Sequence, residues 1–454
     1  MSIPRIALVS TALLAAIIAA ASLPHTHHTS PINHTNPPTH TNHPNHPNQP
    51  LTLPPQNHTT LLAGAKLLSE TQNTHRFATR LAVHITPASH GTWTTSPDGL
   101  TRHWHLDLSS PGATSLNFAF SEFHMPPGGL LTLASTLSKP RPFTHADNEP
   151  HGQLWTPLLR GDSTTLNVSV PTANKHALKL TLAAVNHGFR SLKSATAKIG
   201  GDRSSACNID VACASAGLAI SPLIKHYADQ VRSVGAYTLN GTDICSGALV
   251  NNTARDSRPL FLTADHCGIT AANAPSMVTY WNFQNSTCRT PGSSASGSVG
   301  DGPLDQFNTG AILRASSSRS DFCLVELDDP VHPDANVFFA GWDRSGSPTT
   351  SACAVHHPAI AEKRISFDFD PVTITTYFGE NSPGDGTHLR VADWDEGTTE
   401  GGSSGSPLFD QSGRIIGQLA GGNAACGNDS SDWFGALSAS WTGGATNGSR
   451  LSNW

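Results

Sequence analysis

Short runs in which apolar residues fall at every second position, each broken by a glycine- or proline-containing turn, leave little choice of fold class for this chain. Thr101-Arg102-His103-Trp104-His105-Leu106-Asp107-Leu108, Ser115-Leu116-Asn117-Phe118-Ala119-Phe120 and Leu178-Lys179-Leu180-Thr181-Leu182 show the pattern, with turns at Ser110-Pro111-Gly112 and Pro126-Pro127-Gly128-Gly129. With 39 Gly, 32 Pro and 13% charged residues, the composition also favours short strands over long helices. From about Thr60 to Gly188 this predicts a β-sandwich. His103 and His105 share one strand face; with no third ligand placed by the pattern, they read as surface residues rather than a metal site.

At 454 residues the chain exceeds one ordinary domain, and two features mark the same boundary. All eight cysteines follow residue 206. Up to residue 200 there are 13 Lys and Arg against 7 Asp and Glu, and beyond it 14 against 26, so a basic segment precedes an acidic one. Opposite fields favour docking of the two, and the acidic part suits cationic substrates and disfavours nucleic acid. Arg5 followed by the apolar run Ile6 to Ala21 reads as a secretory signal, an oxidising destination in which the cysteines pair; no further membrane span is expected. The expected layout is a signal peptide over 1–22 and a Pro/His/Asn-rich disordered linker over 23–58. A β-rich domain over 59–190, a processing linker over 191–205 and a second β domain over 206–454 follow. The linker histidines His25, His27, His28, His43 and His46 show no recurring ligand spacing and read as a solvated spacer.

Chemistry concentrates in the second domain. Its strands resume at Val234-Gly235-Ala236-Tyr237 and Cys245-Ser246-Gly247-Ala248-Leu249-Val250, a pattern that fits a pair of barrels. Gly401-Gly402-Ser403-Ser404-Gly405-Ser406-Pro407, ahead of the apolar run Ile415 to Leu419, has the small side chains that a nucleophilic serine needs. Gly402 can turn its N–H toward the same point as the N–H of Ser404, which would make an oxyanion hole, and Pro407 stiffens the exit. A base is offered by His266, delivered to a turn by Phe261-Leu262-Thr263-Ala264 and followed by Cys267. Asp321, entering the apolar run Phe322 to Leu327, suits the carboxylate that orients an imidazole.

Further stretches make the comparison specific: Cys207-Asn208-Ile209-Asp210-Val211, Thr279-Tyr280-Trp281-Asn282-Phe283-Gln284-Asn285, Ala340-Gly341-Trp342-Asp343-Arg344, His356-His357-Pro358, Ala361-Glu362-Lys363-Arg364 and Ser440-Trp441-Thr442-Gly443-Gly444. With these, residues 200–454 resemble the bacterial lysyl endopeptidases, a branch of the chymotrypsin-like serine proteases, and the region around His151-Gly152-Gln153-Leu154-Trp155 resembles the propeptides of secreted bacterial endopeptidases. The resemblance implies an all-β chain, a double β-barrel catalytic domain behind a sandwich-like propeptide domain. It implies His266 as base, Asp321 as orienting carboxylate, Ser404 as nucleophile, and Gly402 and Ser404 as oxyanion donors.

By the same resemblance Asp432 lies at the bottom of the pocket for the residue before the cut, with Asp429 as a rival. Phe378 stands where the family has a tryptophan beside the catalytic histidine, and Ala420 where it has a second histidine. The implied disulfides are Cys207–Cys426, Cys213–Cys288 and Cys245–Cys267; Cys323 and Cys353 are left over, for a fourth bridge or two buried thiols. Lys198 is the expected self-processing site. Expected partners are lysine-containing protein or peptide substrates and the chain's own propeptide, as inhibitor or folding aid. A secreted monomer needing neither cofactor nor metal is expected. The second part holds only Lys225 and Lys363 against 12 Arg, as befits a protease that cuts after lysine. Alternatives are a trypsin-like or glutamyl protease of this fold, or a binding protein on a protease scaffold.

Overall fold

The structure is a computed structural model that describes residues 50–72, 75–190 and 205–454. The expected signal peptide, most of the polar linker and Lys198 lie outside the described residues.

The first β region is a sandwich. One sheet runs Leu51–Thr52, Thr101–Ser109, Ser163–Pro171, Leu130–Ser135, Ser138–Phe143, with Thr92–Thr95 beside the second of these. Its alternation is the one read above: Trp104, Leu106 and Leu108 are buried while His103, His105 and Asp107 are exposed. His105 bonds to Asn167 and Asp107, as a surface strand residue does. The other sheet runs Leu159–Arg160, Ser115–His124, Lys179–Gly188, Ala78–Ile85. It departs from simple alternation, because Ser115 through Phe120 are all buried. Leu116, Phe118 and Phe120 face the sandwich core, whereas Ala119 packs with Trp155, Leu158, Tyr280 and Phe283 in a cluster shared with the second β region. A sheet covered on both sides loses its polar face.

Two expectations about the chain's start need correction. The polar linker does not extend to residue 58, because Leu51–Thr52 pairs in parallel with Leu108–Ser109 and Leu53 is buried. The chain then forms a helix, His58–Gln72, where strands were expected. Its Leu, Ala, Lys and Glu content favours helix, and the Asn57 side chain accepts the N–H of Thr60 at its start.

The second region contains two eight-stranded sheets that are antiparallel throughout. In the first, Gln306–Thr309, Val278–Trp281, Val234–Leu239, Asp243–Leu249, Leu260–Ala264, Phe322–Leu327 and Ala311–Ser317 follow in order. The eighth strand is His75–Arg76, contributed by the N-terminal region to the edge of Asp243–Leu249. The second sheet runs Ile209–Asp210, Arg364–Asp368, Ala352–His356, Pro407–Asp410, Ile415–Gly422, Asp432–Ala436, His388–Val391, Thr373–Thr375. This is the all-β, paired half-barrel architecture expected of the chymotrypsin-like class. No helix among the described residues is long and apolar enough to cross a membrane.

Charge complementarity appears where the regions meet. Arg76 pairs with Asp243, Lys139 and Arg141 with Asp305, and His151 with Asp328. The three implied disulfides are present. The fourth is not: Cys323 and Cys353 are free and buried, one in each sheet and in separate core clusters. Burial pushes both thiols up, so they act as small core residues rather than as reactive groups.

Candidate active site

Three chain segments converge between the half-barrels. Strand Leu260–Ala264 ends in a one-turn helix that carries His266, and Cys267 is bonded to Cys245 on the neighbouring strand. Asp321 lies just before strand Phe322–Leu327, which pairs with Leu260–Ala264. Its φ of +52° is left-handed, a conformation that Asp tolerates better than most residues. Ser320 is clamped from the second half-barrel, where its carbonyl accepts Gln418 Nε2 at 2.8 Å and its hydroxyl meets Ser440 at 2.9 Å. Gly435 passes so close that a Cβ there would lie 1.8 Å from the Ser320 oxygen.

Asp321 grips His266 at two points. One oxygen accepts the His266 backbone N–H at 2.8 Å and the other lies 2.7 Å from Nδ1. A carboxylate there holds the proton on Nδ1 and leaves Nε2 as the basic nitrogen. The Ser404 loop docks on the same strands. Ser246 donates its N–H to the Ser404 carbonyl at 2.9 Å and its hydroxyl to the Gly402 carbonyl at 2.8 Å. At Gly405 a Cβ would meet Thr263 Oγ1 at 2.1 Å, so this turn lies against the strand that delivers His266. The N–H groups of Ser403, Gly405 and Ser406 bond to Glu400, Leu419 and Ser403 carbonyls, whereas those of Gly402 and Ser404 meet no acceptor among the described residues. Two such donors, one of them the N–H of the buried Ser404 itself, suit an oxyanion hole.

Asp432 opens strand Asp432–Ala436 and is buried, while Asp429 is exposed. Its Oδ2 accepts Thr399 Oγ1 at 2.6 Å and Trp394 Nε1 at 2.8 Å. Burial pushes the carboxyl up, opposed by these two bonds and by the Ala424 N–H. Trp394 and Thr399 were not singled out from sequence; Thr399 precedes the nucleophile loop, but nothing local marks Trp394.

Phe378 is 51% exposed and packs on Trp433 and Tyr377. Tyr377 and His388, whose rings lie 5.0 Å apart, are both within electrostatic reach of Asp321. Ala420 is buried on strand Ile415–Gly422. A surface cavity lined by Trp342, Trp441 and Trp454 includes none of these residues.

His75, another residue that sequence reading passed over, lies against the site. It is 8% exposed, and a Cβ on Gly401 would sit 2.0 Å from its ring. Burial first, then His266 and Arg190, lowers its pKa from 6.5 to about 4. Between those values the undocked segment binds a proton that the docked one does not. Docking is therefore strongest above pH 6.5 and weakens as pH falls toward 4, by about 3 kcal/mol over the interval. His187 and His356 are also depressed, but His187 is buried against Ser110 and His58 and His356 against Ser403 and Ser366, so they bear on unfolding of each region rather than on docking. The urea midpoint of a full-length Ser404→Ala chain is expected to fall between pH 7 and 4.5, and His75→Asn to flatten that dependence.

A family model described as lysyl endopeptidase, C-terminal domain, matches residues 201–435. The lysyl endopeptidase of Pseudomonas aeruginosa is 30% identical over 360 residues, covering 75% of this chain and 74% of that protein. Among solved structures, the protease Anisep from Arthrobacter nicotinovorans has 17% identity and a TM-score of 0.32, covering 45% of this chain and 90% of its own. A thermostable serine protease from an extremophilic microorganism has 12% identity and a TM-score of 0.33, covering 46% and 92%.

Proposed function

The chain belongs to the lysyl endopeptidase family and is a serine endopeptidase, and on that premise we propose that it is exported, matured by removal of its N-terminal region, and cuts on the carboxyl side of lysine. The observation that carries the catalytic reading is the two-point grip of Asp321 on His266 beside the Gly402–Ser404 loop.

In this mechanism His266 Nε2 takes the Ser404 proton as Oγ attacks the scissile carbonyl. The carbonyl oxygen, now anionic, moves toward the N–H groups of Gly402 and Ser404. His266 gives the proton to the leaving amine, the acyl-enzyme remains, and water repeats the sequence to release the acid. Asp321 steadies the imidazolium between the two transfers.

Specificity is assigned to Asp432. A buried carboxylate attracts an ammonium, while a neutral or acidic side chain would leave it uncompensated. This disfavours a glutamyl protease, whose pocket needs cationic or neutral imidazole groups. Of the two lysines beyond residue 205, Lys363 is buried with Nζ on the Val231 carbonyl, which leaves Lys225 as the accessible one. The disulfides support an extracellular destination, and the docked sandwich supports an inhibitory or folding role for the N-terminal region of a monomer, with Lys198 as the processing site.

Digestion of a denatured protein mixture by the matured chain, read by mass spectrometry, is expected to give cuts confined to lysine. Equal cutting after arginine would indicate a trypsin-like pocket. Cutting after glutamate would remove Asp432 from the pocket. No labelling of Ser404 by a fluorophosphonate would instead favour a binding protein.

A further inference from the structure

Resting on the reading of Ser404 as nucleophile, we propose that the strand edge at Asp243–Ile244 is the subsite for the leaving-group side of the substrate. Asp243 gives this subsite a preference for a cationic side chain, and in the full-length chain the segment His75–Phe77 fills it in the manner of a substrate.

His75 stands opposite Ile244 and Arg76 opposite Asp243 in an antiparallel pair. Strand Asp243–Leu249 runs from that edge toward the nucleophile loop, since Ser246 bonds to Gly402 and Ser404 and Cys245 is joined to Cys267 beside His266. The segment therefore begins at the site, with the His75 ring on Gly401, and runs away from it through Arg76 and Phe77. A peptide whose scissile carbonyl lay at Ser404 would send its downstream residues along the same edge. Strand addition of this kind is a general mode of peptide recognition, with backbone bonds supplying affinity and side-chain sites supplying selectivity.

The side-chain site here is Asp243. Arg76 Nε and a terminal nitrogen meet its two carboxylate oxygens at 2.9 and 3.2 Å, a forked pair that fixes orientation as well as charge. Thr242 Oγ1 donates to the same carboxylate at 2.8 Å and holds it in place. The far end is fastened by the N–H groups of Phe77 and Ala78 on the Thr242 carbonyl, and Phe77 is fully buried against the apolar interface. Ile244 and Asp243 have Val234–Leu239 on one side, and His75–Arg76 takes the other. Removal of the N-terminal region exposes that edge with its carboxylate already positioned.

The test uses the full-length chain carried through its own maturation. Internally quenched peptides with a single lysine carry Arg, Ala or Glu at each of the first three positions after it, and a lysyl ester with nothing beyond the scissile bond serves as reference. At one position Arg is expected to raise kcat/KM over Ala by about tenfold and Glu to lower it. In Asp243→Asn the Arg-to-Ala ratio should fall close to one. The ratio in the unaltered chain is informative even if that variant folds poorly. Indifference at all three positions, with the ester hydrolysed normally, overturns the subsite and leaves the protease reading intact. Persistence of the preference in Asp243→Asn also overturns it. Failure to hydrolyse the ester overturns the protease reading and this proposal with it.

Discussion

Ser404→Ala is expected to lower kcat on a lysyl ester by about a millionfold, and Asp321→Asn by about ten thousandfold, with little change in folding. On the proposed mechanism the first removes the atom that bonds to the substrate, leaving only binding and the Gly402 and Ser404 N–H groups to assist water. The second keeps the shape but alters the proton inventory. Asp321 accepts from both the backbone N–H and Nδ1 of His266, and an amide can satisfy one acceptor role but offers a donor in the other. The imidazole then turns its protonated nitrogen toward Ser404 and cannot act as base. Burst titration with an active-site ester, beside circular dichroism, separates loss of chemistry from loss of structure. A residual rate within tenfold of the unaltered chain in Ser404→Ala would exclude Ser404 as nucleophile.

Asp432→Asn is expected to reduce kcat/KM for lysyl substrates by about a thousandfold, while substrates with a neutral residue before the cut lose far less. The substitution preserves volume, so the pocket remains. What disappears is the charge, held under the Thr399 hydroxyl and the Trp394 indole N–H in a buried setting where little water screens it. The ratio of lysyl to neutral rates, measured with matched ester substrates, is the diagnostic. An unchanged ratio would place the ammonium elsewhere.

Much of the candidate site was legible because its parts are local. Gly402-Ser403-Ser404-Gly405 announces itself by the glycines a tight donor loop requires, and the structure gives Gly402 and Gly405 positive φ values of 96° and 79°. Strand alternation at Trp104, Leu106 and Leu108 was equally direct, since it depends only on which face meets a core. The helix His58–Gln72 was missed because a polar stretch beside it suggested linker, although Ala and Leu content pointed to helix. The bridge between Cys323 and Cys353 fails because two adjacent-looking strands belong to different half-barrels. Trp394, Thr399, Tyr377 and His388 acquire meaning only as neighbours of distant carboxylates.

The residues themselves determined the all-β class, the break between a basic and an acidic half, and a serine loop able to hold an oxyanion. Alternation, charge and glycine content act over a few positions, so they can be read along the chain. Tertiary structure decided which carboxylate faces which partner. Asp321 reaches His266 across 55 residues, Asp432 accepts the Trp394 indole N–H across 38, and Arg76 reaches Asp243 across 167. Contacts at such separations arise from how sheets curl and dock, and many strand pairings are compatible with the same local pattern; burial of the shared core selects one.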